Sequence, residues 1–233
     1  MEEENYNKLI IGLLIAAVFI IGFNFYQMSQ LKTSLMKGSV ITGSAVKTDS
    51  SNSQINLDSL PAIIPRGVPA IYGKELKISF DDVNINDPES TENTIRTLAL
   101  LDQEITLSSE ENIRYINILY KKENGISCEY CCGARAIIFE NGQPACGCAH
   151  SYAMRGLAKY LITKHGKEYT DDQILEEVGK WKTLFFPTQT QLKAKLLESQ
   201  GIELNYINLA SNKYRGIEKV AAGSASGAMV GGC

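Results

Sequence analysis

The hydrophobic positions of this chain form one long run near its start and several shorter, periodic runs after residue 60. The run from Leu9 to Phe25 is apolar on every side, and no charged residue occurs between Lys8 and Lys32. About 20 apolar residues are enough for a helix to span a bilayer. The run is longer than the apolar core of a signal peptide, and no small-x-small cleavage site follows it. We therefore predict an uncleaved transmembrane anchor over residues 9–31.

The residues around this run predict how the rest of the chain is organised. Residues 1–8 form a short N-terminal tail, and residues 32–60 are rich in Ser, Thr, Asn and Gly and are predicted to be a flexible linker. Long C-terminal segments cross the membrane largely regardless of flanking charge. We therefore expect a single-pass protein of the cell membrane, attached by its N-terminal helix, with its domain outside the cytoplasm.

Residues 61–208 are predicted to form one domain in which most apolar residues recur at helical spacing. Thr91 to Leu101 has this spacing, and Ser108 with Glu111 forms a capping-box pattern at the start of a second helix. Residues 209–233 end in AAGSASGAMVGGC, which has the composition of a flexible tail. Further helices are predicted from Ala149 to Gly166, from Thr170 to Pro187 and over residues 188–201.

Two short segments of the domain have strand-like patterns instead. Ala136 to Phe139, the turn Asn141–Gly142 and the following residues predict a β-hairpin, in which Pro144 is tolerated only at an edge. Residues 75–80, ELKISF, predict a short strand. The predicted fold class is α+β and mainly helical: a transmembrane helix, then a small helical domain with one β-hairpin that carries a cysteine cluster.

Charge and composition narrow the classes of function. The 23 Lys and Arg residues are scattered and are balanced by 26 Asp and Glu, so the formal net charge is −3. Nucleic-acid binding is disfavoured because it needs a basic patch or stripe. Of the six cysteines, five lie between Cys128 and Cys148. The candidate chemistry is concentrated there.

The spacing of these cysteines predicts a site for a soft metal ion. Cys128-x2-Cys131-Cys132 and Cys146-x-Cys148-x-His150 form two ligand groups on either side of the predicted hairpin, as in zinc-ribbon and zinc-knuckle sites. Thiolates bind zinc, Cu(I) and iron–sulfur clusters, and the spacing does not select one of them; two ligands from each group can complete a tetrahedral zinc site, and zinc is the metal we expect first. The candidate ligands are Cys128, Cys131, Cys132, Cys146, Cys148, His150 and, on the tail, Cys233.

The spacing leaves other interpretations open. Disulfides are one alternative, and they would have to join the two groups because neighbouring cysteines pair only with strain. Thiol exchange with a partner protein is another, because Cys148 precedes a predicted helix whose N-terminus favours a thiolate. A third alternative is a zinc ion that only stabilises the fold of an adaptor domain. The sequence does not determine whether the chain is an enzyme, and it identifies no partner protein.

Residues 125–187, with their CCG and CGCAH motifs, resemble a group of uncharacterised archaeal membrane-anchored, cysteine-rich proteins. This resemblance implies no particular activity. A more distant likeness to the thiol reductase of cytochrome c maturation lies in a cysteine motif that precedes a helix. That likeness implies a membrane-tethered thiol–disulfide oxidoreductase, although this chain has five clustered cysteines in place of a single redox pair.

Overall fold

A computed structural model describes residues 63–218 and 229–231, all of which belong to one compact unit. The described residues contain seven α-helices, and short 3-10 turns occur at Phe80–Asp82, Lys122–Asn124 and Asn212–Tyr214. A π-helical turn, Asn117–Lys121, extends the third helix. The helices are α1 Tyr72–Leu76, α2 Pro88–Glu104, α3 Ser109–Ile116, α4 Ala149–His165, α5 Asp171–Phe185, α6 Pro187–Ser199 and α7 Tyr206–Ala210.

The ends of these helices follow from local capping. Ser108 and Glu111 form a capping box at the start of α3, and Thr170 with Gln173 forms another at the start of α5. Helix α2 starts at Pro88, whose missing N–H costs nothing in the first turn. The predicted helices over residues 91–101, 149–166 and 170–187 are confirmed with slightly different ends.

The central packing relationship is between α2 and α4. At Gly156 in α4, an added Cβ would overlap the backbone carbonyl oxygen of Leu98 in α2, so a side chain there would force the two helices apart. Leu98, Leu157 and Leu161 are fully buried at this contact and in the surrounding core. Helix α5 adds Trp181 and Phe185 to the same core. This core supports the N-terminal end of α4, where the cysteines lie.

The predicted α+β class is wrong for the part of the chain that the structure describes, because residues 63–218 and 229–231 contain helices and no strands. The turn at Asn141–Gly142 is where the hairpin was expected, but the flanking residues form one isolated bridge, between Ile138 and Pro144. Pro144 has no N–H to extend the ladder. The predicted strand over residues 75–80 is wrong as well, since it begins inside α1 and ends in a 3-10 turn.

The predicted location in the cell membrane is also corrected. Across residues 63–218 and 229–231, no helix has both the length and the apolar character needed to cross a bilayer. The N-terminal tail 1–8, the predicted anchor over residues 9–31 and the linker 32–60 lie outside the described residues.

The C-terminal region contributes structure where a flexible tail was expected from residue 209. Leu209 and Ala210 complete α7, and the next residues form the 3-10 turn Asn212–Tyr214. Val230 is buried, with 6% of its surface exposed. The C-terminal region therefore includes residues that pack against the domain.

Candidate functional site

Two loops bring the cysteines together. The N–H of Ile137 donates to the carbonyl of Ile126 at 2.9 Å, and the N–H of Ala145 donates to the carbonyl of Ile137 at 3.1 Å. Ile137 thus joins the segment before Cys128 to the segment before Cys146. The two ligand groups predicted from the sequence meet here without a regular hairpin.

Three sulfur atoms form the centre of the site. Cys148 Sγ lies 3.5 Å from Cys146 Sγ and 3.5 Å from Cys128 Sγ. Cys128, Cys146 and Cys148 are all buried and all free of disulfide bonds. The Ser151 hydroxyl donates to Cys128 Sγ at 3.1 Å and lies 3.3 Å from Cys148 Sγ. The three thiols therefore share one buried space.

This proximity changes the acidity of the thiols. Hydrogen bonding from Cys128 is the largest cause that lowers the pKa of Cys146, to about 5, and that of Cys148, to about 3. Hydrogen bonds to Cys146 and Cys148 raise the pKa of Cys128, which keeps its proton. Cys148 is also the N-cap of α4, where its sulfur accepts from the Ser151 N–H at 3.4 Å. The cluster favours thiolates at Cys146 and Cys148.

A buried ion pair supports the Cys146 side of the site. Arg155 donates from Nε to Asp102 Oδ2 at 2.8 Å and from Nη1 to the carbonyl oxygens of Cys146, at 2.8 Å, and Ile137, at 3.2 Å. The Lys159 ammonium lies 2.8 Å from the other Asp102 carboxylate oxygen. The Arg155 side chain is fully buried. It therefore ties the backbone on the Cys146 side of the site to helices α2 and α4.

A second buried charge cluster supports the Cys128–Cys132 loop. The carboxylate of Glu129 accepts from Lys182 Nζ at 3.0 Å and from the Gly216 N–H at 3.2 Å, and Lys193 Nζ lies 3.6 Å away. Burial alone would raise the pKa of Glu129, but the charges of Lys182 and Lys193 hold it below its ordinary value. Burial, together with Lys182, lowers the pKa of Lys193 to about 8. Glu129 thereby connects the cysteine loop to α5 and α6.

The residues just after α7 brace the same loop from outside. Arg215 donates from Nη2 to the carbonyl of Gly133 at 2.7 Å and from Nη1 to that of Arg135 at 3.0 Å. Asn212 accepts from the Ser127 hydroxyl at 2.6 Å. These contacts come from the region expected to be a flexible tail.

His150 is buried next to the cluster but is oriented towards the C-terminal segment. Its Nε2 lies 2.8 Å from the Val230 carbonyl oxygen. Its ring packs between Phe185 and Phe186, with centroid separations of 4.8 and 5.1 Å. Because a carbonyl only accepts, Nε2 carries the proton. Nε2 is thus directed away from the sulfur atoms, whereas Nδ1 keeps its lone pair, and hydrogen bonding with His150 is among the causes that lower the pKa of Cys148.

The remaining cysteines differ from the central three. Cys131 is disulfide-bonded, so its sulfur is not a thiol. Cys132 is free and exposed, and its thiol donates to the Cys128 carbonyl at 3.9 Å. Burial and hydrogen bonding with Cys146 raise the pKa of Cys132. Cys233 lies outside the described residues.

The geometry is close to that of a metal site without being preformed. No set of three or more His, Cys, Asp or Glu side chains within residues 63–218 and 229–231 is arranged to hold a metal ion. A tetrahedral zinc ion with Zn–S bonds of about 2.3 Å separates its sulfur ligands by about 3.8 Å. The sulfur separations of 3.5 Å are shorter than this. The thiols would spread by roughly 0.3 Å to admit the ion.

Sequence reasoning identified the cysteines but not the residues that support them. Ser151 carried a detectable signal, because it lies three positions after Cys148, the residue that precedes the predicted helix. The sequence contained no signal for Asp102, Glu129 or Lys193, because the partners of these residues are distant in the chain. Comparison with known proteins finds no match for this chain among protein families, curated sequences or solved structures.

Proposed function

We propose that this protein binds a soft transition-metal ion, zinc in the first place, through the thiolates of Cys128, Cys146 and Cys148, with Cys132 as the fourth ligand. The observation that carries the proposal is that Cys148 Sγ lies 3.5 Å from each of two other free thiol sulfurs, all of them buried. Unbonded sulfurs this close are within a small adjustment of the separation in a tetrahedral zinc site.

The electrostatics of the site support the proposal. Metal ligands must be deprotonated, and the pKa values of Cys146 and Cys148 are already lowered. The N-terminus of α4 at Cys148 favours negative charge on the sulfur. A metal ion would replace the thiol proton that Cys128 keeps because its pKa is raised.

The ligand set is narrower than the set of residues predicted from the sequence. Cys131 is left out because its sulfur is in a disulfide. His150 is left out because four thiolates already complete the tetrahedron; its Nε2 donates to the Val230 carbonyl, and its other ring nitrogen remains an acceptor beside Cys148. Cu(I) and iron–sulfur clusters also bind thiolates, but four thiolates satisfy tetrahedral zinc most simply.

One exposed ligand favours metal handling over a purely structural role. Structural zinc sites are closed, with all four ligands supplied by the packed protein. Here three ligands are buried, whereas Cys132 is exposed on a surface loop. A metal held in this way can be approached from the Cys132 side. The alternative, an adaptor domain stapled by structural zinc, predicts instead that a chelator unfolds the protein.

Metal content tests the proposal. The full-length chain would be purified without oxygen and its bound metals counted by mass spectrometry. We expect about one zinc per chain, lost in Cys148→Ser. The double variant Cys131→Ser/Cys233→Ser removes two cysteines outside the proposed ligand set and should keep its zinc. Less than about half an equivalent of any transition metal in the parent would contradict the proposal.

The second candidate function is thiol–disulfide exchange with a partner protein. The specific observation in its favour is that the disulfide of Cys131 is adjacent to the free, exposed thiol of Cys132. The lowered pKa values of Cys146 and Cys148 would suit attack on a disulfide. This function predicts metal-free protein in which two cluster cysteines become reversibly paired at a defined potential.

A further inference from the structure

A polar cavity of about 440 Å³ lies between the end of α2, the start of α3 and the turn Gly142–Pro144. Two close approaches shape its walls. Lys159 of α4 donates from Nζ to the carbonyl of Asp102 at 2.6 Å. An added Cβ at Gly142 would overlap Asn112 Oδ1, so the turn lies directly against α3. Clefts of roughly 300–1,000 Å³ are the usual size of small-molecule sites.

The hydroxyl group of Tyr115 is an unused hydrogen-bond donor in the wall of this cavity. Tyr115 lines the cavity and is only 1% exposed. Within residues 63–218 and 229–231, its hydroxyl oxygen has no hydrogen-bond partner. Burial and the nearby Asp102 carboxylate raise the pKa of Tyr115, so the hydroxyl keeps its proton. Because buried polar groups are nearly always paired, this donor indicates that the cavity receives an acceptor.

The ammonium group of Lys159 is a second donor at the same cavity. It donates to the Asp102 carbonyl and lies 2.8 Å from the carboxylate oxygen Asp102 Oδ1. These contacts occupy at most two of the three N–H groups of a lysine ammonium. The Lys159 side chain lines the cavity and is 18% exposed. Its remaining N–H group can therefore be reached by a ligand.

The charge around the cavity favours an anion. Asp102 faces both Arg155 and Lys159, so one carboxylate meets two cations and the network has a formal charge of +1. Apart from Asp102 and Lys159, every residue that lines the cavity is uncharged. A ligand with a single negative charge would balance the network.

We propose that this cavity binds a small polar monocarboxylate, whose oxygens accept hydrogen bonds from the Tyr115 hydroxyl and the Lys159 ammonium. A carboxylate suits these donors because it only accepts and has two oxygens to offer. The side-chain amides of Asn112 and Gln143 also line the cavity and can bond to hydroxyl groups elsewhere on the ligand. Binding is non-covalent and needs no metal.

The cavity is separate from the candidate metal site but is connected to the loop beside it. No cysteine lines the cavity. Pro144 lines it and precedes Cys146 by two residues, and Asp102 pairs with the Arg155 side chain that donates to the Cys146 carbonyl. Occupancy of the cavity and metal content can therefore be measured independently, and either proposal can fail without the other.

Saturation-transfer NMR on the full-length protein tests binding, in a buffer without other carboxylates. The probes are acetate, glycolate, lactate and glycerate, and lactamide is the uncharged control for lactate. We expect at least one of the carboxylates to bind with a Kd below about 10 mM, and lactamide to bind at least about tenfold more weakly than lactate. Absence of binding by every carboxylate below about 10 mM, or equal binding of lactate and lactamide, would overturn the proposal.

Tyr115→Phe separates the binding role of the hydroxyl from any role in folding. The change removes a hydroxyl that no described residue contacts through a hydrogen bond, so the thermal midpoint should be unchanged or slightly higher. Binding of the best carboxylate should weaken by about tenfold. Tyr214→Phe is the matched control outside the cavity and should leave the affinity unchanged. A Tyr115→Phe protein that binds as tightly as the parent, or that unfolds at a clearly lower temperature, would overturn the proposal.

Discussion

Arg155 Nη1 donates to the carbonyl oxygen of Cys146 at 2.8 Å, so a side chain in the middle of α4 holds the backbone of a candidate metal ligand. The same guanidinium is paired with Asp102 of α2. The most closely packed helix pair of the described domain is thus connected directly to the cysteine loop. Changes at this ion pair should affect both the stability of the fold and the geometry of the site.

Arg155→Gln should lower the free energy of unfolding by about 3–5 kcal/mol, because it leaves the Asp102 carboxylate buried without its main partner. The measurement is urea unfolding followed by circular dichroism. Arg96→Gln is the matched control, since Arg96 pairs with Glu92 on the helix surface, where both side chains are more than half exposed. That change should cost less than about 0.5 kcal/mol. Similar losses for the two variants would contradict this account of Arg155.

Glu129→Gln tests the second buried charge cluster. It keeps the shape of the side chain but removes the charge that faces Lys182 and Lys193, and we expect a loss of about 3–5 kcal/mol of stability. In a double-mutant cycle with Lys182→Met, the two changes should cost less together than the sum of the single changes. Additive losses would show that the carboxylate and the ammonium do not stabilise each other.

Gly156→Ala should push α2 and α4 apart, because the added methyl group would overlap the Leu98 carbonyl. We expect a loss of about 1–3 kcal/mol or more, as is typical of overpacked cores. Gly147→Ala adds the same methyl group where nothing lies within 4 Å, and it should be nearly neutral. The thermal midpoints of the two variants provide the comparison, and equal midpoints would rule out the proposed overlap.

The surroundings of His165, which is remote from the cysteines, predict that the stability of the fold depends on pH. Its Nε2 lies 2.8 Å from Glu75 and its Nδ1 lies 3.3 Å from Glu168, while Tyr160 and Tyr169 pack against the ring. Burial opposes the charged ring, but hydrogen bonds to the two carboxylates raise the pKa of His165 above its ordinary 6.5.

The folded state binds the His165 proton more tightly than the unfolded state does. The stabilisation that protonated His165 contributes is therefore fully present below pH 6.5, and it is lost as the pH rises through the raised pKa. His165→Gln removes this contribution. The difference in unfolding free energy between parent and variant should therefore shrink as the pH rises above 6.5 and through the raised pKa of His165. A difference that stays constant or grows with pH would contradict the prediction.

The sequence predicted local structure better than long-range structure, for physical reasons. Ser108, Thr170 and Gly166 mark helix ends because capping acts over a few residues. Ala136 to Phe139 looked like a strand because its pattern is β-like, but Pro144 opposite it cannot continue a ladder. The spacing of the five clustered cysteines predicted a candidate site, and the structure brings three of their sulfur atoms together.

The contacts that support the cysteine loops could not be predicted from the sequence, because each of them joins residues that are far apart in the chain. Glu129 meets Lys182 and Lys193, and a charged residue in the sequence carries no sign of its distant partner. Val230 meets His150 although its surroundings have the composition of a flexible tail. The disulfide of Cys131 was only one of several open pairings, since spacing does not fix connectivity.

The most direct test of the central claim is X-ray absorption at the zinc edge of the anaerobically purified, full-length protein. A site of four cysteine thiolates predicts four sulfur ligands at about 2.3 Å and no nitrogen shell. In Cys132→Ser, one sulfur should be replaced by oxygen while three remain. A first shell dominated by oxygen or nitrogen, or a spectrum unchanged by Cys148→Ser, would contradict a metal site built from Cys128, Cys132, Cys146 and Cys148.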